Sequence, residues 1–287
     1  MTARLPASAP ASAGSMTYAT PVRRWALGVA VATVALTLVG FATFGQQPAL
    51  LTRWPQVAPL YGWAYRFFAL GQVWVAWGCL AAVLQASAGT RWWPAFALLY
   101  GISLASEWFG TGYGLPFGPY RYSSLLAPLW GGRVPVIIPL SWFFMAVTAY
   151  GWAAERWARP MARVLWASAV LASWDLALDP AMSYVTRYWS WGAAGPYYGM
   201  PWSNLAGWYL TGLVLMTALA VLRAERWTAR IPGSWWRAFY ATNLALPLGM
   251  CAVAGAWGAV AATAVTLGAV VALGGRRRAV EAAAGTA

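Results

Sequence analysis

Eight apolar blocks of about 20 residues, at 25–44, 64–86, 92–109, 134–153, 162–180, 203–222, 237–254 and 256–274, constrain this chain more than any other feature. A helix of that length rises about 30 Å, which matches the hydrocarbon core of a bilayer. Inside lipid every backbone polar group must be satisfied internally, and a helix does this alone. The expected fold class is therefore all-α, a polytopic membrane helix bundle of about eight transmembrane helices. Only a turn near Gly255 parts the last two blocks, so seven spans is the alternative count. Charged residues make up 9% of the chain, against about 25% in soluble domains.

Arginine placement favours eight spans. With both termini inside, Arg53, Arg66, Arg121, Arg133 and Arg187 face outward and the other fourteen of the 19 basic residues, all arginines, face the cytoplasm. Seven spans would put the triplet Arg276, Arg277 and Arg278 outside, against the positive-inside rule. The expected location is the inner (plasma) membrane, multi-pass, with cytoplasmic N- and C-termini. The net charge of +13 raises nucleic acid as a partner. The arginines sit at the ends of apolar blocks rather than on one basic face, so no nucleic acid is expected, and the lipid bilayer is. Residues 1–20, rich in Ala, Ser and Pro, read as a disordered tail; 21–275 form the helical membrane domain; 276–287 form a basic, Ala-rich C-terminal tail. The first apolar run is long for a cleaved signal and reads as a retained helix.

This topology leaves two long connections on the non-cytoplasmic side, about 110–133 and 181–202, both dense in Gly, Pro, Tyr and Trp. An interfacial aromatic belt explains the rings alone. Shaped turns that re-enter the protein and line a cavity also explain the glycines and prolines. No internal repeat is visible.

The chain has six acidic residues. Glu155 and Glu225 lie among arginines and read as structural, with Glu155 four residues before Arg159 in helical pairing distance. Glu281 is in the tail. Glu107, Asp175 and Asp179 remain, near the outer ends of apolar blocks. The spacing of Asp175 and Asp179 puts both on one helix face, and Asn204 opens the next block at similar depth. Pro180 is expected to end or bend the helix at Asp179. One reading pairs the aspartates with Arg121, Arg133 or Arg187 as structural ion pairs. The other makes them functional, as intramembrane carboxylates usually are.

The sequence contains no histidine. That excludes Ser-His-Asp hydrolysis and the His-carboxylate iron sites, and leaves carboxylates, tyrosines and arginines for any chemistry. Cys79 and Cys251 read as small buried hydrophobes. No metal and no cofactor are expected. A carboxyl in an apolar pocket can keep its proton and act as a general acid, and aromatic faces stabilise a cation. Together they suit protonation of an electron-rich alkene followed by capture of water. In that scheme Asp175, deeper in its helix, protonates the alkene. Trp174, Trp142 and Tyr120 face the cation. Asp179 or Glu107 holds the water, and Asn204 orients it.

The stretches "GLPFGPYRYSSLLAPLWGGRVPVIIPLSW" (114–142), preceded by Glu107, then "WDLALDPAM" (174–182), "YWSWG" (188–192) and "YYGMPWSNLAGW" (197–208) resemble the membrane-bound carotenoid 1,2-hydratase family, which acts on γ-carotene, lycopene or bisanhydrobacterioruberin. The resemblance covers about 100–210, and Arg187 falls where it cannot be matched position by position. It implies addition of water across the C-1′,2′ double bond of an acyclic ψ-end to give a tertiary alcohol, a carotenoid as substrate, and other carotenoid-pathway enzymes as partners. The rival readings are a membrane prenyltransferase, a carotenoid cyclase, and a non-catalytic carotenoid-binding or transport protein.

Overall fold

The computed structural model describes residues 13–284. In chain order the helices are α1 (Ala13–Gly40), the short α2 (Ala49–Arg53), α3 (Ala58–Ala88), α4 (Trp93–Tyr113), α5 (Ile137–Arg156), α6 (Pro160–Asp179), α7 (Trp202–Val221), the short α8 (Glu225–Thr228), α9 (Gly233–Val253) and α10 (Trp257–Ala284). The tail expected over 1–20 lies outside the described residues up to residue 12, and α1 starts within it. The stretch from 276, expected as a tail, continues as helix to Ala284; the last three residues lie outside the described ones.

Helix α5 is the centre of the bundle. Its sequence, "IIPLSWFFMAVTAYGWAA", is apolar on every side, the pattern of a helix with no solvent face. Nearly every residue from Ile137 to Ala153 is buried. It packs against α3, α4, α6, α7 and α9, while α1 lies on α3 and α9, and α10 on α6. Cys79 and Cys251 are buried free thiols.

Among the described residues, six segments are long and apolar enough to cross a membrane: Ala19–Gly45, Leu70–Tyr113, Ile137–Arg156, Pro160–Val185, Trp202–Val221 and Trp257–Gly274. The chain is thus a mostly helical, multi-pass membrane protein. The number falls below the eight expected for two physical reasons. Leu70–Tyr113 is continuous in hydropathy, yet a 3₁₀ turn at Gly89–Trp92 breaks it into α3 and α4. These run in opposite senses. Tyr65, early in α3, meets Tyr188 of the second long loop, as Glu107, late in α4, meets Tyr120 of the first; the C-terminal end of α3 lies far from both, where Ser87 accepts from Arg230. Helix α9 has the length, but Arg237, Asn243 and its tryptophans dilute its hydropathy.

The two ends of the bundle differ. Both ion pairs among the described residues lie at the end away from the long loops, Arg163–Glu225 at 3.1 Å and Arg237–Glu155 at 2.5 Å. The expected Glu155–Arg159 pair is replaced by the second of these. Helix α5 stops at Arg156 and Trp157 is extended, so the helical spacing between 155 and 159 does not exist.

At the other end the loops fold into structure that an all-α expectation omitted. Strand β1 (Tyr120–Tyr122) of the first loop pairs antiparallel with β4 (Trp189–Trp191) of the second, with Tyr120 opposite Trp191 and Tyr122 opposite Trp189. Within the first loop β2 (Leu129–Trp130) and β3 (Val134–Pro135) form a hairpin. Its turn residues Gly131 and Gly132 have φ of 49° and 71°. The register Trp130↔Val134 makes this a three-residue loop, and successive positions with positive φ are open mainly to glycine.

The α-helix ends at Asp179, as Pro180 led one to expect, but the chain does not leave the helical path. Asp179 keeps helical φ and ψ (−60°, −50°), and the chain runs on through a π-helical turn, Pro180–Val185. Proline has no N–H, so the Leu176 carbonyl four residues back loses its helical donor. Tyr197 Oη donates to that carbonyl at 2.7 Å. Pro247 in α9 repeats the device: Trp174 Nε1 donates to the Asn243 carbonyl at 3.4 Å. With each break satisfied by a side chain, the helix can carry a proline at depth. Tyr197→Phe strands the Leu176 oxygen and is expected to cost about 1–3 kcal/mol. Thermal unfolding in detergent measures it; an unchanged midpoint would show the carbonyl finds another donor.

Candidate active site

Helices α4, α6 and α7 and the β1–β4 ribbon converge on one group of buried polar side chains. Glu107, Asp175, Asp179 and Asn204 are 4%, 0%, 2% and 2% exposed. Asp175 and Asp179 share a face of α6, as their spacing requires. Asn204, in the first turn of α7, joins them: its Nδ2 donates to Asp175 Oδ2 at 2.8 Å and also to Asp179 Oδ2. Trp189 Nε1 donates to Asp179 Oδ1 at 2.8 Å. The same Asn204 amide therefore holds the two carboxyls side by side. Asp175 Oδ1 is buried with no partner.

Glu107 has a different environment. Tyr120 Oη and Tyr122 Oη donate to its Oε2 at 2.5 and 2.7 Å, and Trp142 Nε1 donates to its Oε1 at 2.8 Å. Three converging donors suit an acceptor-only carboxylate. Burial, with Glu107 beside them, pushes both phenols well above their usual range, so they remain donors at any working pH. Strand alternation explains the pairing: residues 120 and 122 point to the same face of β1, toward the bundle.

No arginine enters this group among the described residues. Arg133 instead lies over the Trp108 ring at 4.5 Å and donates to the Trp108 carbonyl at 2.8 Å. Arg121 sits opposite Ser190 on the ribbon. The ion-pair reading of the aspartates therefore has no counterpart in the structure.

Glu107, Asp179, Asn204, Tyr120 and Trp142 all line one small cavity of about 30 Å³, room for a single water. Tyr122, Trp189, Trp191 and Trp208 are also among its walls. Trp208 stacks on Trp142 with centroids 4.0 Å apart, and its edge meets Trp174. Two residues singled out in the sequence fall elsewhere. Asp175 lies one turn behind, reaching the cavity through Asp179 and Asn204. Trp174 lines a second, larger chamber of about 310 Å³. Sequence reasoning missed Tyr122, Trp189 and Trp208. The alternation in "YRY" and "WSW" was the available signal for the first two; Trp208, one helical turn beyond Asn204, had the weaker signal of periodicity.

The larger chamber is apolar, bounded by α1, α3, α5, α6 and α9, with Phe41, Phe68, Phe144 and Leu246 among its walls. Leu60 at its rim is exposed. Ile138, Ser141, Leu178 and Trp189 line both cavities and so form the partition between them. An apolar chamber open at one side thus adjoins a water-sized pocket that holds two carboxyls.

Bisanhydrobacterioruberin hydratase of Haloarcula japonica is 34% identical to this chain over 119 residues, 40% of this chain and 39% of that protein. The chain therefore matches well under half the length of that relative. No solved structure matches. A family model described as carotenoid biosynthesis protein matches residues 62–271, from α3 into α10 and across both loops that close the carboxyl pocket, so the chain belongs to the carotenoid biosynthesis protein family.

Proposed function

We propose that this protein hydrates the terminal C-1′,2′ double bond of an acyclic carotenoid ψ-end, giving a tertiary alcohol. The observation that carries the reading is the shared partition, which sets an apolar chamber beside a pocket of carboxyls and aromatic faces. The polyene occupies the chamber and its branched end reaches the partition, whose side chains part to set it beside the water held in the pocket. Asp179, the aspartate that faces the pocket, gives its proton to C-2′. The cation forms at the tertiary C-1′, between the faces of Trp142, Trp189 and Trp208. Glu107, held by three donors, sets a negative charge across the pocket and orients the water. Oxygen of that water bonds to C-1′ and its proton returns to the carboxyl pair, so the site ends as it began. Asp175, joined to Asp179 through Asn204, holds the proton between turnovers. The sequence argument made Asp175 the donor; its place behind the pocket favours Asp179 instead. The substrate, the roles of these residues and the sidedness belong to this proposal, as do the cytoplasmic termini, which rest on the arginine distribution.

Expression in a lycopene-producing bacterial host tests the function. The expected pigment gains the mass of one water per hydrated end, and growth in ¹⁸O-water labels it. Unchanged mass would leave cyclisation or binding alone, and label from O₂ would mean an oxygenase.

A further inference from the structure

Gln72 is the anomaly of the large chamber. It projects from α3 into a wall that carries no acidic or basic residue. Several other polar side chains of the chamber are already bonded: Ser141 to Ile138 O, Thr37 to Thr33 O and Asn243 to Phe239 O within their own helices, and Trp174 and Trp189 to Asn243 O and Asp179 Oδ1 across elements. Gln72 is 7% exposed and its Oε1 is buried with no hydrogen-bond partner. A buried amide left unmatched is unfavourable, and native structures rarely keep one without a use. Leu60 at the rim and Gln72 are separated along α3 by about 18 Å at the usual rise. Gln72 therefore lies deep in the chamber, which it lines together with Trp174 and Asn243.

We infer that Gln72 is a hydroxyl-binding station, and that the chamber takes isoprenoid alcohols in preference to the matching hydrocarbons. The ligand class follows from the surroundings. A charged donor would have no counter-ion here. A lone water needs two to four polar partners, and Gln72 offers one unmatched acceptor. A hydroxyl on an apolar body both donates and accepts, so it satisfies the amide in either orientation while its chain fills the apolar walls. A tertiary terpenoid alcohol, the type of product proposed above, has this chemistry. The substrate class rests on the hydratase reading; the station itself does not.

The test uses detergent-purified full-length protein carrying Asp179→Asn, so that bound pigment is not turned over. Equimolar lycopene and its monohydrated derivative compete, and native mass spectrometry resolves the two complexes by the mass of one water. The alcohol complex is expected to exceed the hydrocarbon complex about three- to tenfold, the range of one net hydrogen bond. Adding Gln72→Met, which keeps length and helix propensity, should erase that preference, leave lycopene binding intact and raise the unfolding temperature. A preference that survives Gln72→Met overturns the station. So does equal loss of both ligands, which marks a structural amide, or a rise in stability with no ligand preference at any stage, which marks a bound water only. If wild-type protein never hydrates lycopene in cells but the preference appears and is lost on substitution, the hydratase reading fails and the station stands; hydration without a preference gives the converse.

Discussion

Asp179→Asn is expected to lower conversion of lycopene by about 10²–10⁴-fold, the usual contribution of a positioned general acid, while the protein inserts and accumulates as wild type. The substitution keeps shape but removes the acidic proton. It strands no cation, because no arginine contacts this carboxyl among the described residues. An amide at 179 can still accept from Trp189 Nε1, but its own NH₂ then opposes Asn204 Nδ2. The stability cost is one mismatched buried contact, about 1–3 kcal/mol. Pigment mass spectrometry beside an immunoblot separates activity from abundance. Asp175→Asn is expected to cost less, since Asp175 is one turn behind the pocket. If Asp175→Asn proves the more damaging at equal protein level, the acid is the residue behind and the assignment to Asp179 fails.

Glu107→Gln is expected to show a loss of similar size with a larger cost in stability. Glu107 accepts from Tyr120, Tyr122 and Trp142 at once. Glutamine has a single acceptor oxygen and two N–H groups. If the oxygen stays with the tyrosines, the NH₂ faces the Trp142 indole N–H; if it turns, the NH₂ faces both phenols. Either way a buried donor meets a donor, at about 1–3 kcal/mol each. The negative charge facing the cation is also lost. A drop in unfolding temperature together with loss of hydration is the expected signature. Full activity at wild-type stability would remove Glu107 from the mechanism and leave the aspartate pair alone.

The sequence alone marked which side chains are costly to bury. In a chain this apolar, a carboxyl at membrane depth is conspicuous because burial in lipid is expensive. Glu107, Asp175, Asp179 and Asn204 could be picked out by that rule without knowledge of their neighbours. The helix pattern was legible for the same reason, since lipid forces the backbone to satisfy itself within each helix. The i, i+4 spacing was enough to put the two aspartates on one face.

Tertiary structure decided the rest. Periodicity describes one element at a time and is silent on which elements meet. Only the β1–β4 pairing, between residues some 70 positions apart, brings Tyr122 and Trp189 to the carboxyls. Only the packing of α6 against α7 lets one asparagine amide serve both aspartates. The same packing turns Asp179 toward the pocket and leaves Asp175 behind it, although both read alike in the sequence. Pro180 shows the limit most clearly. Its local preference predicts an end or a bend at Asp179, and the α-helix does end there; that the chain then runs on as a π-helical turn depends on Tyr197, which arrives from the second loop and supplies the missing donor.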